Sequence, residues 1–144
     1  MTPRKKSREA ALQVLFQKSF SPTATSIELF EAFKGSFELD PAVANRTLEL
    51  VQGVEQHRDD LHKIVEKHSD NWRVDRIAMT DLIILELGIF ELCFDNVDDT
   101  PPKMCINDYV DVAKKYSSKE AKSFINGVLD NVFHKDLSPG TDDH

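Results

Sequence analysis

The chain has 144 residues, long enough for one domain, or two packed halves, around a real hydrophobic core. Its formal net charge of −7, with 30% of residues charged, excludes general affinity for polyanions, so any nucleic-acid surface has to be local. The longest apolar segment, Ile77 to Phe94, contains Asp81, Glu86 and Glu91. Hydrocarbon does not tolerate such charges, and the segment reads as a core helix of a soluble, cytoplasmic protein rather than a membrane span.

Glycine is scarce, and Pro3, Pro22, Pro41, Pro101, Pro102 and Pro139 fall where helices start or loops turn, which predicts an all-α fold of about seven helices in two bundle halves. The first helix is expected from Arg4 to Lys18, with Ala11, Leu12, Val14 and Leu15 inward and Phe16 at the edge of that face. A second begins near Ser26, whose hydroxyl is the expected cap, and offers Ile27, Leu29, Phe30 and Phe33 to the core. Asp40-Pro41 opens a third, with aspartate as cap and proline in the first turn, carrying Val43, Leu48, Val51 and Val54. A fourth, around Asp59 to His68, buries Leu61, Ile64 and Val65.

The fifth helix, Arg76 to Phe94, is apolar around most of its circumference, as expected of a helix surrounded by others. After an acidic loop from Asp95 to Pro101, a sixth aligns Cys105, Tyr109, Val112 and Tyr116 in one stripe, with Asp108, Asp111, Lys114 and Lys115 outside. The seventh follows the Ser117-Ser118 cap and lines up Ala121, Ile125, Val128, Leu129 and Val132. Residues 1–134 are expected to form one domain, and the polar, helix-breaking residues 135–144 a disordered tail.

Catalytic constellations are not found in this pattern. His57, His62 and His68 are five and six residues apart, which on a helix is not the spacing of paired metal ligands, and they read as solvated surface residues. Cys93 and Cys105 form no C-x-x-C pair and read as reduced, buried thiols. Gly53, Gly88 and Gly127 stand singly inside helices, which rules out a phosphate loop and points to close helix packing. The expectation is therefore a non-enzymatic protein with no metal and no cofactor.

Positive charge concentrates at the amino terminus, where Arg4, Lys5, Lys6 and Arg8 have Glu9 as the only nearby acid. On a helix Lys5 and Phe16 are close in angle and about three turns apart, so cations for phosphates and a ring for base stacking share one flank. A solvated tail and a packed Phe16 are the plainer readings of the same residues.

Two carboxy-terminal segments are more specific. Cys105-Ile106-Asn107-Asp108-Tyr109-Val110-Asp111-Val112-Ala113-Lys114-Lys115-Tyr116, followed by Phe124-Ile125-Asn126-Gly127-Val128-Leu129-Asp130, resembles the carboxy-terminal signature of the NusB family of RNA-binding transcription antitermination factors. Arg8 to Phe16 resembles the family's first helix and Leu85 to Leu92 its central one, so the resemblance spans residues 7 to 133. It implies that the amino terminus and first helix, with Arg4, Lys5, Lys6, Arg8, Gln13 and Phe16, contact single-stranded boxA-like RNA of ribosomal RNA operon transcripts. The implied RNA path also passes Tyr116 and Phe124. Phe16 stands where the family usually has tyrosine, which keeps stacking and removes a hydroxyl.

The resemblance further implies a partner, the ribosomal protein NusE, on a surface including Asp81, Glu86 and Glu120, and a role in the transcription elongation complex. An acidic face complements a basic ribosomal protein. Some family members homodimerise through helix faces. Leu82 and Glu86 depart from the family, which often has basic residues there, and together with the net acidity they motivate a competing reading: a protein-binding scaffold that has kept the fold and lost RNA binding. A methyltransferase reading, by analogy with related modules fused to such enzymes, lacks a methyl-donor domain in this sequence. Asn107 and Asn126 fit the family and are expected to be buried, structural amides.

Overall fold

A computed structural model describes residues 2–69, 73–95 and 100–137. It divides the chain into two compact units, Met1–Gln56 and His57–His144. The first holds α1 (Pro3–Phe20), α2 (Ser26–Phe37) and α3 (Pro41–Gln56). The second holds α4 (Arg58–His68), a 3-10 turn (Val74–Arg76), α5 (Met79–Cys93), α6 (Pro102–Tyr116), α7 (Lys119–Val132) and a π-helical turn (Phe133–Leu137). No strand occurs among the described residues, and none of their helices is long and apolar enough to cross a membrane.

In the first unit α1 packs on both α2 and α3. Two neighbours widen its buried arc: Ala11, Leu12, Val14 and Leu15 are inside as expected, and so are Ser7 and Arg8. Helix α2 opens on a capping box centred on Thr25, not on Ser26. The Thr25 hydroxyl accepts the Glu28 amide at 3.1 Å, and the Thr25 amide donates to Glu28 Oε1 at 2.8 Å. Those bonds hold the Glu28 carboxyl below its ordinary range. Ser26 is instead buried and donates to the Glu55 carboxylate of α3. Phe30 is the buried anchor of α2, whereas Ile27, expected inside, is exposed. Helix α3 begins at Pro41 with the Asp40 carbonyl accepting the Ala44 amide at 2.8 Å, and buries Val43, Val51 and Val54.

In the second unit α5 touches α4, α6 and α7, and every residue from Leu82 to Glu91 is buried. Gly88 explains the closeness of the approach: a Cβ there would meet Leu129 Cδ2 at 3.1 Å. The Tyr109 hydroxyl of α6 donates to the buried Glu91 carboxylate of α5, giving that charge a partner. Because α6 packs against both α5 and α7, its buried arc takes in Asp108, which the stripe pattern had left outside. Ser118 caps α7 as expected, accepting the Ala121 amide at 3.1 Å, and Ala121, Ile125, Val128, Leu129 and Val132 form its core face.

Other expectations require correction. Asn107 and Asn126 are exposed, and Gly127 faces open space, because all three lie off the core faces of their helices. His68 is not solvated: its ring is buried, with Nε2 2.8 Å from Asp136 Oδ2. His57 stacks on Phe94 with ring centroids 4.4 Å apart, and His62 reaches Glu86. Asp136 also pairs with Lys67 Nζ at 2.9 Å, so helical order continues through residue 137 rather than stopping at 134. The remainder of the expected tail, 138–144, and Asp98-Asp99 of the acidic loop lie outside the described residues.

Candidate nucleic-acid interface

The basic end of α1 is built by its cap. Thr2 Oγ1 accepts the Lys5 amide at 3.2 Å and Pro3 occupies the first turn, so Arg4, Lys5 and Lys6 project from the opening turns of a continuous helix. That first turn contains no acid. Cations at a helix amino terminus oppose the macrodipole, an arrangement that costs stability and makes sense if an anion arrives there. Lys6 is exposed and Arg4 and Lys5 are half-buried. Arg8 departs from the expectation: at 1% exposure it is among the largest fully buried side chains, on the same stripe as Ala11, Leu12 and Leu15, and cannot reach a ligand directly.

Phe16, 37% exposed, holds the edge position expected of it. One turn on, Phe20 is 69% exposed and packs edge-to-face on Phe16, with centroids 4.9 Å apart. The i,i+4 spacing outside the apolar stripe was the available signal for this second ring. Lys6 and Gln13 line a cavity of about 370 Å³ in the same unit, walled by the stacked pair Phe33 and Phe37. Glu9, Glu38 and Asp40 also line it. Three carboxylates against one ammonium make its interior unsuited to phosphate, which leaves the exposed flank of α1 for the backbone of a nucleic acid.

In the second unit a cavity of about 310 Å³ lies where the approach to α5 meets the start of α7. Asp81, Glu120 and Phe124 line it together with Arg76, Ile77 and Ser118. Three of the anticipated site residues thus share one concavity. Ser117 Oγ donates to Asp81 Oδ1 at 2.5 Å, orienting that carboxylate, and Phe124 is half-buried. Tyr116, also half-buried, closes α6 with the Lys115 ammonium 5.4 Å from its ring centre.

Glu86 is not part of this surface. It is 2% exposed, with His62 Nε2 at 2.6 Å and Arg58 Nε at 3.3 Å from Oε2. It serves as an internal counter-ion. No group of three or more potential metal-ligating side chains exists among the described residues. Burial, aided by Asp136, pushes the Cys93 thiol up to about 11, away from nucleophilic use at neutral pH.

The model of the NusB family matches residues 5–134. The chain belongs to the NusB family. The transcription antitermination protein NusB of Myxococcus xanthus is 41% identical over 136 residues, covering 92% of this chain and 95% of that protein. That of Bdellovibrio bacteriovorus is 36% identical over 132 residues, covering 92% and 96%. Among solved structures, a crystal structure of the antitermination factors NusB and NusE in complex with dsRNA superimposes with a TM-score of 0.82 at 28% identity, covering 93% of this chain and 98% of that one.

Within a NusB-family fold the two departures at Leu82 and Glu86 acquire a local explanation. Both are buried, and Glu86 is matched by Arg58 and His62 of the same chain. The compensation is internal and needs no altered partner. The exposed Asn107 and Asn126 are the reverse case: signature residues that packing does not account for.

Proposed function

We propose that this NusB-family chain is a non-enzymatic RNA-binding antitermination factor of the cytoplasm, holding boxA-like RNA of ribosomal RNA operon transcripts with the ribosomal protein NusE and joining it to the transcription elongation complex. The observation that carries this reading is the flank of α1, where three cations at the electrostatically disfavoured end lead to the exposed ring of Phe16. Arg4, Lys5 and Lys6 serve phosphates, Gln13 a polar contact, and Phe16, Tyr116 and Phe124 base stacking. Arg8 supports α1 from within. Asp81 and Glu120 face the basic partner, while Glu86 holds the second unit together.

The relatives named as antitermination proteins, and the similar NusB in complex with NusE and dsRNA, support this assignment. The scaffold reading drew on Leu82, Glu86 and the net acidity; with Leu82 and Glu86 buried, the acidity alone speaks for it. Titrating labelled boxA RNA with this protein, with and without NusE, tests the proposal. Tighter binding in the presence of NusE is expected. Equal affinity in both titrations, or binding insensitive to alanine at Lys5 and Lys6, would overturn it.

A further inference from the structure

We propose that the groove between α1 and the turn joining α2 to α3 is a docking site for a protein partner, and that its occupant is an arginine side chain flanked by apolar residues. The proposal concerns the first unit alone and does not depend on the RNA-binding reading. The groove encloses about 370 Å³, at the small end of the range of ligand sites. Ala10 of α1, Val43 of α3 and Leu39 of the connecting turn give it an apolar lining. Phe33 and Phe37 wall it, stacked with ring centroids 4.4 Å apart and planes inclined by 26°. Phe33 covers one face of Phe37, yet Phe37 remains 61% exposed, so ring surface is left uncovered there.

Charge identifies the occupant. Of the seven carboxylates in residues 1–56, three line this groove: Glu9, Glu38 and Asp40. The other four are engaged elsewhere, Glu28 in the capping box, Glu31 with Lys34 at 3.6 Å, Glu49 with Arg46 at 3.2 Å and Glu55 with Ser26. Glu38 and Asp40 have no side-chain hydrogen bond or ion pair among the described residues. Against the three carboxylates stands the Lys6 ammonium, and the negative surplus complements a cation. A ring face beside carboxylates selects a guanidinium, which is planar, stacks on aromatics, is weakly hydrated and donates through a fork that carboxylates accept. An ammonium keeps its water and has no flat face. The methylenes of the arginine stem match the apolar lining. A free guanidinium would leave Phe37 wet, whereas apolar neighbours of an arginine in a polypeptide cover it, which favours a protein. Arg4, Lys5 and Lys6 at the same end of α1 disfavour a polybasic segment, so a single arginine among neutral residues is the fit.

The test uses the full chain with isotope-labelled phenylalanine rings, titrated by NMR with a capped Ala-Arg-Leu peptide. The Phe33 and Phe37 ring resonances should move saturably, and the same peptide with neutral citrulline in place of arginine should bind about tenfold more weakly. E38Q/D40N should weaken the arginine peptide by about tenfold at a parent-like melting temperature, since both side chains are exposed. F37L, which keeps apolar bulk and removes the ring, should also lose affinity. Equal binding of the arginine and citrulline peptides, or parent-like binding by E38Q/D40N, overturns the proposal. Tighter binding of spermidine than of the peptide makes the groove a polyamine site and overturns it too. If the parent sediments as a dimer and E38Q/D40N as a monomer, the occupant is a second copy of this chain and the proposal fails. Failure of the parent to bind boxA RNA would overturn the function above and leave these results untouched.

Discussion

Glu86 shows how one residue changes meaning with its surroundings. A carboxylate in the middle of an apolar helix reads as a surface acid, yet here it is desolvated and held by Arg58 and His62. Removing the cations should therefore hurt more than removing the acid. The double variant R58A/H62A leaves a buried carboxylate alone and should cost about 3–5 kcal/mol in urea unfolding. E86L should cost far less, because Arg58, 38% exposed, can turn its charge to water. A larger loss for E86L than for R58A/H62A would contradict this account. Glu38 illustrates backbone rather than charge. It ends α2 in the left-handed region at φ 49°, where a side chain clashes with its own carbonyl. E38G should stabilise the fold by about 1 kcal/mol, read as a rise in Tm.

At the scale of elements, two glycines that look alike in sequence do opposite things. Gly88 lies under Leu129 and Tyr109, at 3.1 Å and 3.6 Å from where a Cβ would sit. Leu129 is fully buried and would have to shift within a packed interior, so G88A should destabilise by about 1–3 kcal/mol despite the better helix propensity of alanine. Gly127 has nothing within 4 Å of the same position, and G127A should stabilise by about 1 kcal/mol. Chemical denaturation of the two variants should give shifts of opposite sign. Helix starts were legible at Asp40-Pro41 and Ser118 because a proline or a hydroxyl preceded an apolar run. The start of α2 was displaced by one residue, since Thr25 and Ser26 are chemically equivalent as caps and only Glu28, three residues beyond Thr25, decides between them.

At the scale of the whole molecule, charge is unevenly distributed along the chain. Residues 1–56 contain seven Lys and Arg and seven Asp and Glu, so the net charge of −7 resides entirely in residues 57–144. A polyanion is thus favoured locally, at the start of α1, and repelled by the second unit as a whole. Long-range closure of the second unit depends on Asp136, which joins Lys67 and His68 across 69 and 68 residues of sequence. Partial burial alone would raise its carboxyl, but the bonds from Lys67 and His68 outweigh burial and hold it below the ordinary 3.8. A carboxylate lowered in the folded state contributes stability that is complete above the unfolded value and is lost as pH falls through the folded one. D136N should therefore destabilise the protein by about 1–2 kcal/mol at neutral pH, with the difference from the parent shrinking in acid unfolding as the Asp136 carboxyl takes up its proton.

The sequence by itself determined the helical class, the core faces of α5 and α7 and, through two signature segments, the family. Periodicity and motif spacing are local properties that hold wherever the chain is placed. It also placed Phe16 correctly, because an edge position follows from the angle between a residue and its own apolar stripe. Only the tertiary structure decided which charges are available. Arg8 and Glu86 lie inside, while Asn126 and Lys119 lie outside, and the difference depends on how many helices pack around each element, which no single-helix pattern contains. Burial is a property of neighbours distant in sequence, and it separates the residues that hold this fold together from those at its surface.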